Sequence, residues 1–176
     1  VCKMVERLYV EKKPGFDVEA QSCLADFKEN IGIPGLKSVR ILCRYDVEGM
    51  TKEDLEKARH TIFSEPAVDR VFEEAVFPGK FVFGIEYLPG QYDQRADSAA
   101  QCVQLLTRKE RPIVRFAKIF ILEGGISETD FEKIKKYVIN PVDSREASLK
   151  KPESLEMKIK DPDDVRTHTG FNELDG

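Results

Sequence analysis

Tryptophan is absent from this 176-residue chain, and histidine occurs only twice, as His60 and His168. So little histidine leaves scant material for a nucleophile, base and orienter in one place. His60 neighbours buried helix positions and reads as structural or surface, as does His168 in a polar tail. Cysteine occurs four times, at Cys2, Cys23, Cys43 and Cys102, with no C-x-x-C pair, which indicates neither a zinc site nor a disulfide framework. In apolar-periodic segments a free thiol acts as a small hydrophobe. No G-x-x-x-x-G-K-[ST] or G-x-G-x-x-G element is present to cradle a nucleotide. No run approaches the roughly 18 apolar residues of a membrane span. Val1-Cys2-Lys3-Met4 leads into a strand pattern rather than a signal peptide, so no membrane association is expected and the expected location is cytoplasmic. The net charge of −4 comes with interspersed signs and no basic stripe, which argues against nucleic acid as a partner.

What is present is a repeat. Phe16-Asp17, Ala20 and Ser22 recur as Tyr92-Asp93, Ala96 and Ser98, 76 positions on (92 − 16 = 76). Thr51-x-x-Asp54-Leu55-Glu56-Lys57 recurs as Ser127-x-x-Asp130-Phe131-Glu132-Lys133, again at 76 (127 − 51 = 76). Two copies of one folding unit are expected, packed about a pseudo-twofold axis as two identical subunits would be. With 41% hydrophobic residues the chain has material for one medium domain or two small ones sharing a core.

Alternation at Leu8 and Val10 predicts a short first strand ended by Pro14-Gly15. Helical spacing of Phe16, Ala20, Cys23, Phe27 and Ile31 predicts a helix stopped by Gly32. Val39, Ile41, Cys43 and Tyr45 predict a second strand. Thr51 is placed to cap a second helix with buried Leu55, Ala58, Ile62 and Phe63. A third strand is expected near 69–76, with a turn at Pro78-Gly79. Phe81 to Leu88 reads as a central strand buried on both faces. Tyr92, Ala96, Ala99, Val103 and Leu106 trace a helix, residues 113–122 the longest strand, and Phe131, Ile134, Val138 and Ile139 a last helix face. The predicted class is therefore α+β: two ferredoxin-like halves at 1–78 and 79–149, with helices on one face of an antiparallel sheet. Residues 150–176, charged and weakly periodic, read as a linker or the start of a further domain, with one short strand at Leu155, Met157 and Ile159.

Where the copies differ, the fold alone does not account for the residues. Asp93-Gln94-Arg95-Ala96-Asp97-Ser98 is more polar than its first-half equivalent, and Asn140 to Glu146 is a more polar loop than Ser64 to Asp69. The candidate residues are Gln94, Arg95, Asp97, Ser98, Asp143 and Arg145. Arg95 and Arg145 can each clamp a carboxylate bidentately, with Asp97 and Asp143 as the receivers. A self-satisfied network pinning loops, an interface or polar channel wall against another domain, and a small-molecule pocket all remain open. Gly124-Gly125 before Ser127 is read as a turn plus N-cap, with an anion site at the helix start as the alternative.

Four stretches carry a resemblance: Glu11-Lys12-Lys13-Pro14-Gly15-Phe16-Asp17-Val18-Glu19-Ala20, Arg44-Tyr45-Asp46-Val47-Glu48-Gly49, Glu86 to Cys102 with Leu88-Pro89-Gly90-Gln91-Tyr92-Asp93-Gln94-Arg95-Ala96-Asp97-Ser98 at its centre, and Ile139-Asn140-Pro141-Val142-Asp143-Ser144-Arg145-Glu146-Ala147-Ser148. Over nearly its whole length the chain resembles the amino-terminal region of the long single-chain phosphoribosylformylglycinamidine synthases. Those purine-biosynthesis amidotransferases are ATP-dependent C–N ligases that use glutamine-derived ammonia to convert formylglycinamide ribonucleotide to formylglycinamidine ribonucleotide. The resemblance implies a fused dimer of the small PurS subunit, which bridges synthetase and glutaminase. It places ATP, magnesium and the glutaminase triad in other domains of the same polypeptide, so this segment is expected to hold no catalytic residue, metal or cofactor. Its partners would be those synthetase and glutaminase domains. A ferredoxin-like small-molecule-binding regulatory module is the alternative from a different class.

Overall fold

The computed structural model describes residues 4–73 and 81–157. Their strands form one six-stranded antiparallel sheet: β1 (Glu6–Lys12), β2 (Leu36–Glu48), β3 (Asp69–Phe72), β4 (Phe81–Tyr87), β5 (Ile113–Gly124) and β6 (Ser144–Ala147). The order across the sheet is β3-β1-β2-β5-β4-β6. Four helices join them: α1 (Val18–Glu29), α2 (Lys52–Ala58), which runs into a π turn at Arg59–Phe63, α3 (Gln94–Thr107) and α4 (Glu128–Val138). The protein is a mixed α+β fold, and no helix among the described residues is long and apolar enough to cross a membrane.

Local chemistry sets the helix ends. Thr51 accepts a hydrogen bond from the Asp54 amide at 3.2 Å, and Ser127 forms a full capping box with Asp130. Asp93 caps α3 by accepting from the Ala96 amide at 3.0 Å, whereas Asp17, at the matching place before α1, turns its carboxylate to Gln21 and the Gly15 amide instead. Gly32 (φ +78°) stops α1 in the left-handed region, and Arg108 (φ +55°) stops α3.

Packing separates the helices into two pairs on the same sheet face. Leu55, Ala58 and Phe63 of α2 and its π turn join Ala99 and Val103 of α3 over Leu8, Val10, Tyr45 and Val47. Phe27 of α1 and Ile134 of α4 cover Val39, Phe83, Phe120 and Leu122. On the opposite face the buried cluster is built of strand residues alone, among them Tyr9, Leu42, Ile119 and Ile121.

That back face also carries charge. Arg7 clamps Asp46 with Nε to Oδ1 at 2.6 Å and Nη2 to Oδ2 at 2.8 Å, and Arg44 lies 3.7 Å from the same carboxylate. Residues 148–157, with no helix or strand of their own, cross this face as a strap. Arg44 donates to the Ser148 carbonyl (2.6 Å), Arg7 to that of Leu149 (2.9 Å), and Arg115 to that of Leu155 (2.7 Å). Glu48 accepts from the Leu155 amide at 2.6 Å and from the Ser154 hydroxyl. Arg7, Arg44 and Asp46 thus form a buried charged cluster tied to strap carbonyls, while Glu48, also buried, holds the strap through Ser154 and Leu155.

Several expectations are corrected. Phe16 and Tyr92 are exposed rather than core, because each precedes its helix's first turn and projects from the entry loop; Leu106, near the end of α3, is exposed too. The strand at Phe81 is flanked by β5 and β6 and is fully buried only at Phe83 and Gly84, so the central, most covered strands are β2 and β5. Residues 144–146, expected to lie in a loop, form with Ala147 the edge strand β6 against β4. The strand expected to end at 76 has its described part end at Phe72, with 74–76 and the Pro78-Gly79 turn outside the described residues. Leu155 and Met157 are not in a strand; Ile159 and His168 lie outside the described residues, as does Cys2.

The spacing of 76 also needs a refinement. It holds at the helix caps, Asp17 with Asp93 and Thr51 with Ser127, but not in the sheet. Glu6–Lys12 and Phe81–Tyr87 stand 75 apart (81 − 6 = 75), as do Asp69–Phe72 and Ser144–Ala147 (144 − 69 = 75). The register agrees: Leu8 faces Tyr45 across β1/β2, and Phe83 faces Phe120 across β4/β5. A one-residue slip sends every side chain of a strand to the other face, so an offset of 76 within the strands would set inward Leu8 against back-facing Gly84. The odd residue is taken up in the loops.

Candidate functional site

The two helix pairs leave a groove between them over the middle of β2 and β5. The groove contains two adjoining clefts of about 640 Å³ and 350 Å³ that share Tyr87, Phe116 and Lys118. Its floor follows from strand alternation. Cys43 and Tyr45 of β2 point to the helix face and stand directly opposite Lys118 and Phe116 of β5. The first turns of α3 and α1 form the walls, with Arg95 lining the larger cleft and Glu19 the smaller.

Of the sequence candidates, Gln94, Arg95 and Ser98 line the larger cleft and Asp143 the smaller one. Asp97 and Arg145 lie elsewhere. The expected carboxylate clamps do not form. Arg95 and Asp97 are two apart on α3 and so diverge around the helix. Asp97 is taken by Arg111 at 2.5 Å and by the Tyr92 hydroxyl at 3.1 Å. Arg145 binds Glu86, its direct cross-strand neighbour, with Nε and Nη2 at 2.8 and 2.7 Å from Oε1. Asp143, just before β6, fixes its loop through its backbone: its carbonyl accepts from the Leu88 amide at 2.9 Å.

Arg95 instead lies over the Phe116 ring, 4.9 Å from the centroid, and its Nη1 donates to Cys43 Sγ at 3.0 Å. Beside it, where the two clefts meet, Lys118 pairs with Glu19. The residues of the two contacts stand at nearly equal sequence offsets. Arg95 and Glu19 are 76 apart on the helices (95 − 19 = 76), and Lys118 and Cys43 are 75 apart on the strands (118 − 43 = 75). The groove therefore holds an acid–base pair beside a guanidinium on a thiol.

Burial governs the titration of the floor. It pushes the Cys43 thiol up despite Arg95 and Lys118, and pushes Cys23 up as well, so both stay protonated at neutral pH and are poor nucleophiles. It also raises Asp93, against the pull of the Ala96 amide. Tyr45, packed against the Phe63 and Phe116 rings at 5.1 and 5.3 Å, is pushed up to about 12 by burial. With the folded pKa above the unfolded one, Tyr45 contributes stability that is intact below pH 10 and lost as pH rises through about 12. Tyr45→Phe is expected to flatten the alkaline fall in unfolding free energy by on the order of 2–3 kcal/mol between those pH values. Urea melts at stepped pH check it, an unchanged slope counting against the assignment.

Among the described residues no group of three His, Cys, Asp or Glu side chains is placed to hold a metal ion. His60, in the π turn, is exposed. Sequence reasoning missed Lys118 and Cys43. The signal was there in β5: Lys118 is the single charge on the inward-facing series Val114, Phe116, Lys118, Phe120, Leu122. An isolated cation on a buried face requires a partner.

Fold and groove together define an α+β protein whose polar contacts converge where its two helix pairs meet. No protein-family model matches the chain, and no curated protein matches it.

Proposed function

We propose that this chain is the PurS-like amino-terminal scaffold of a phosphoribosylformylglycinamidine synthase, built from two ferredoxin-like copies fused about a pseudo-twofold axis. The observation that carries the reading is the strand order. It is the same from either edge once β1, β2 and β3 are matched with β4, β5 and β6. A PurS-like dimer joined through β2 and β5 would give that order, and the 75-residue strand and 76-residue helix correspondences support the same pairing. The resemblance over residues 11–20, 44–49, 86–102 and 139–148 supplies the family.

In this reading the domain acts by position. It docks glutaminase onto synthetase in the same polypeptide and helps close the passage for ammonia, which loses its nucleophilicity when bulk water protonates it. The ligase chemistry, with ATP and magnesium, belongs to the other domains, in the cytoplasm. Polar loops on a rigid sheet suit the task, because a passage wall must hold its geometry while the flanking domains work. The larger cleft favours a second reading, a small-molecule-binding regulatory module.

Deleting this region from a synthase that carries it separates the two. The scaffold reading expects glutamine-driven turnover to fall by about tenfold or more while ammonia-driven turnover largely survives, with recovery when the 176-residue chain is added back. Unchanged activity with both nitrogen donors would sink the coupling role and leave the regulatory module standing.

A further inference from the structure

We propose that the cleft at Arg95 is a socket for an acidic side chain, Glu or Asp, flanked by apolar residues on another polypeptide. Two helix-to-strand contacts stand side by side on the groove floor. In one, Glu19 from a helix meets Lys118 from a strand, and charge is balanced. In the other the helix residue is Arg95, and the strand residue is Cys43, whose thiol is held protonated by burial and brings no charge. Among the described residues Arg95 forms no ion pair with a carboxylate.

The carboxylates nearby are engaged. Asp93 accepts from the Ala96 amide, Asp97 is held by Arg111, and Glu19 by Lys118. Arg95 is also already oriented. Its plane rests over Phe116 and one nitrogen is fixed on Cys43, so little rotamer freedom remains to be lost when its outward edge meets a ligand. A guanidinium edge presents two parallel N–H groups, which match a carboxylate better than any other protein group. Gln94 and Ser98, one turn of α3, add neutral donors along the same wall.

The shape selects the source of the carboxylate. The cleft is lined by Ile62, Ala99 and Phe116, and Tyr87, 47% exposed where the two clefts join, carries this apolar lining to the surface. A free small acid would leave that apolar rim wet, whereas a Glu or Asp with apolar neighbours covers it. The assignment rests on the cleft geometry and stands or falls independently of the scaffold reading.

The test uses the 176-residue chain, isotopically labelled, and three probes: the blocked peptide acetyl-Leu-Glu-Leu-amide, the same peptide with Gln, and free succinate. The Glu peptide is expected to move the Arg95 Nε–H and Phe116 ring signals saturably, with the Gln peptide weaker by about tenfold or more, as expected for loss of a charge-assisted pair. Arg95→Gln is expected to weaken the Glu peptide by a similar factor; Arg95→Lys, which keeps the charge but not the fork, is expected to recover only part of it. The comparison of Glu with Gln peptide on the unsubstituted chain holds even where a variant folds poorly. Equal binding of both peptides, retention of binding in Arg95→Gln, or no saturation by about 20 mM overturns the socket. Succinate binding as tightly as the peptide overturns the polypeptide source and makes a free acid the ligand.

Discussion

Gly35→Ala is expected to lower the unfolding free energy by about 3 kcal/mol or more, although an alanine is only one methyl larger. A Cβ on Gly35 would lie 2.2 Å from the Gly125 carbonyl oxygen, and on the other strand a Cβ on Gly124 would lie 2.5 Å from the Gly35 carbonyl. Both obstacles are backbone, so no side chain can swing aside. The Gly125 amide donates to the Gly35 carbonyl at 2.9 Å, and this contact ties the start of β2 to the end of β5, the strands through which the two halves of the sheet are joined. Relief of the clash must therefore shift one strand against the other, and the cost spreads along the longest ladder in the fold. Gly15→Ala is the control: Gly15 has φ +92° and nothing within 4 Å of its Cβ position, so only backbone strain of about 1 kcal/mol is expected. Urea unfolding measures both. A Gly35→Ala midpoint no lower than that of Gly15→Ala would show that the strand contact yields easily.

The same glycines mark the limit of what sequence can convey. Gly124-Gly125 was legible as a turn before an N-cap, and the cap at Ser127 is there, because both signals are local. That Gly124 has to be glycine follows from its φ of +138° and from the passage of residue 35 alongside, and the second of these is invisible in the local sequence. The groove divides in the same way. Gln94, Arg95 and Ser98 stand out in the more polar of two similar sequence stretches and do line one cleft. Their partners were assigned from adjacent carboxylates, whereas residues two apart on a helix do not face each other. The actual partners of Arg95 are Cys43, 52 positions away, and Phe116, which only the β2/β5 register brings together. Edge strand β6 escaped for another reason: Ser144-Arg145-Glu146-Ala147 is four residues long and polar at its centre, a composition that protects an edge and reads as a loop.

Asp46→Asn is expected to cost about 3–5 kcal/mol, since it leaves two buried guanidiniums facing a neutral amide. Arg7 and Arg44 are 8% and 4% exposed, so water cannot take over the role of the carboxylate. Burial pulls the Arg44 pKa down against the attraction of Asp46; at Arg7 burial pulls down as well, but Asp46 and Tyr9 together outweigh it and raise the pKa. Loss of the one carboxylate between them leaves two like charges facing each other. The damage should propagate, because the same two arginines hold the strap through the carbonyls of Ser148, Leu149 and Lys150. Amide exchange in residues 148–155 is therefore expected to speed up by more than the global loss of stability explains, including at Leu155, whose amide Glu48 accepts. Glu11→Gln, which breaks the more exposed Arg40 pair on the same sheet face, is expected to cost under about 1 kcal/mol and to leave strap exchange unchanged. If Asp46→Asn is no more harmful than Glu11→Gln, water reaches the cluster and the strap is held by its apolar contact at Leu155 alone. If it is several kcal/mol worse with selective strap exchange, the buried charges fix the path of the chain across the sheet, and hydrophobic burial only seals it.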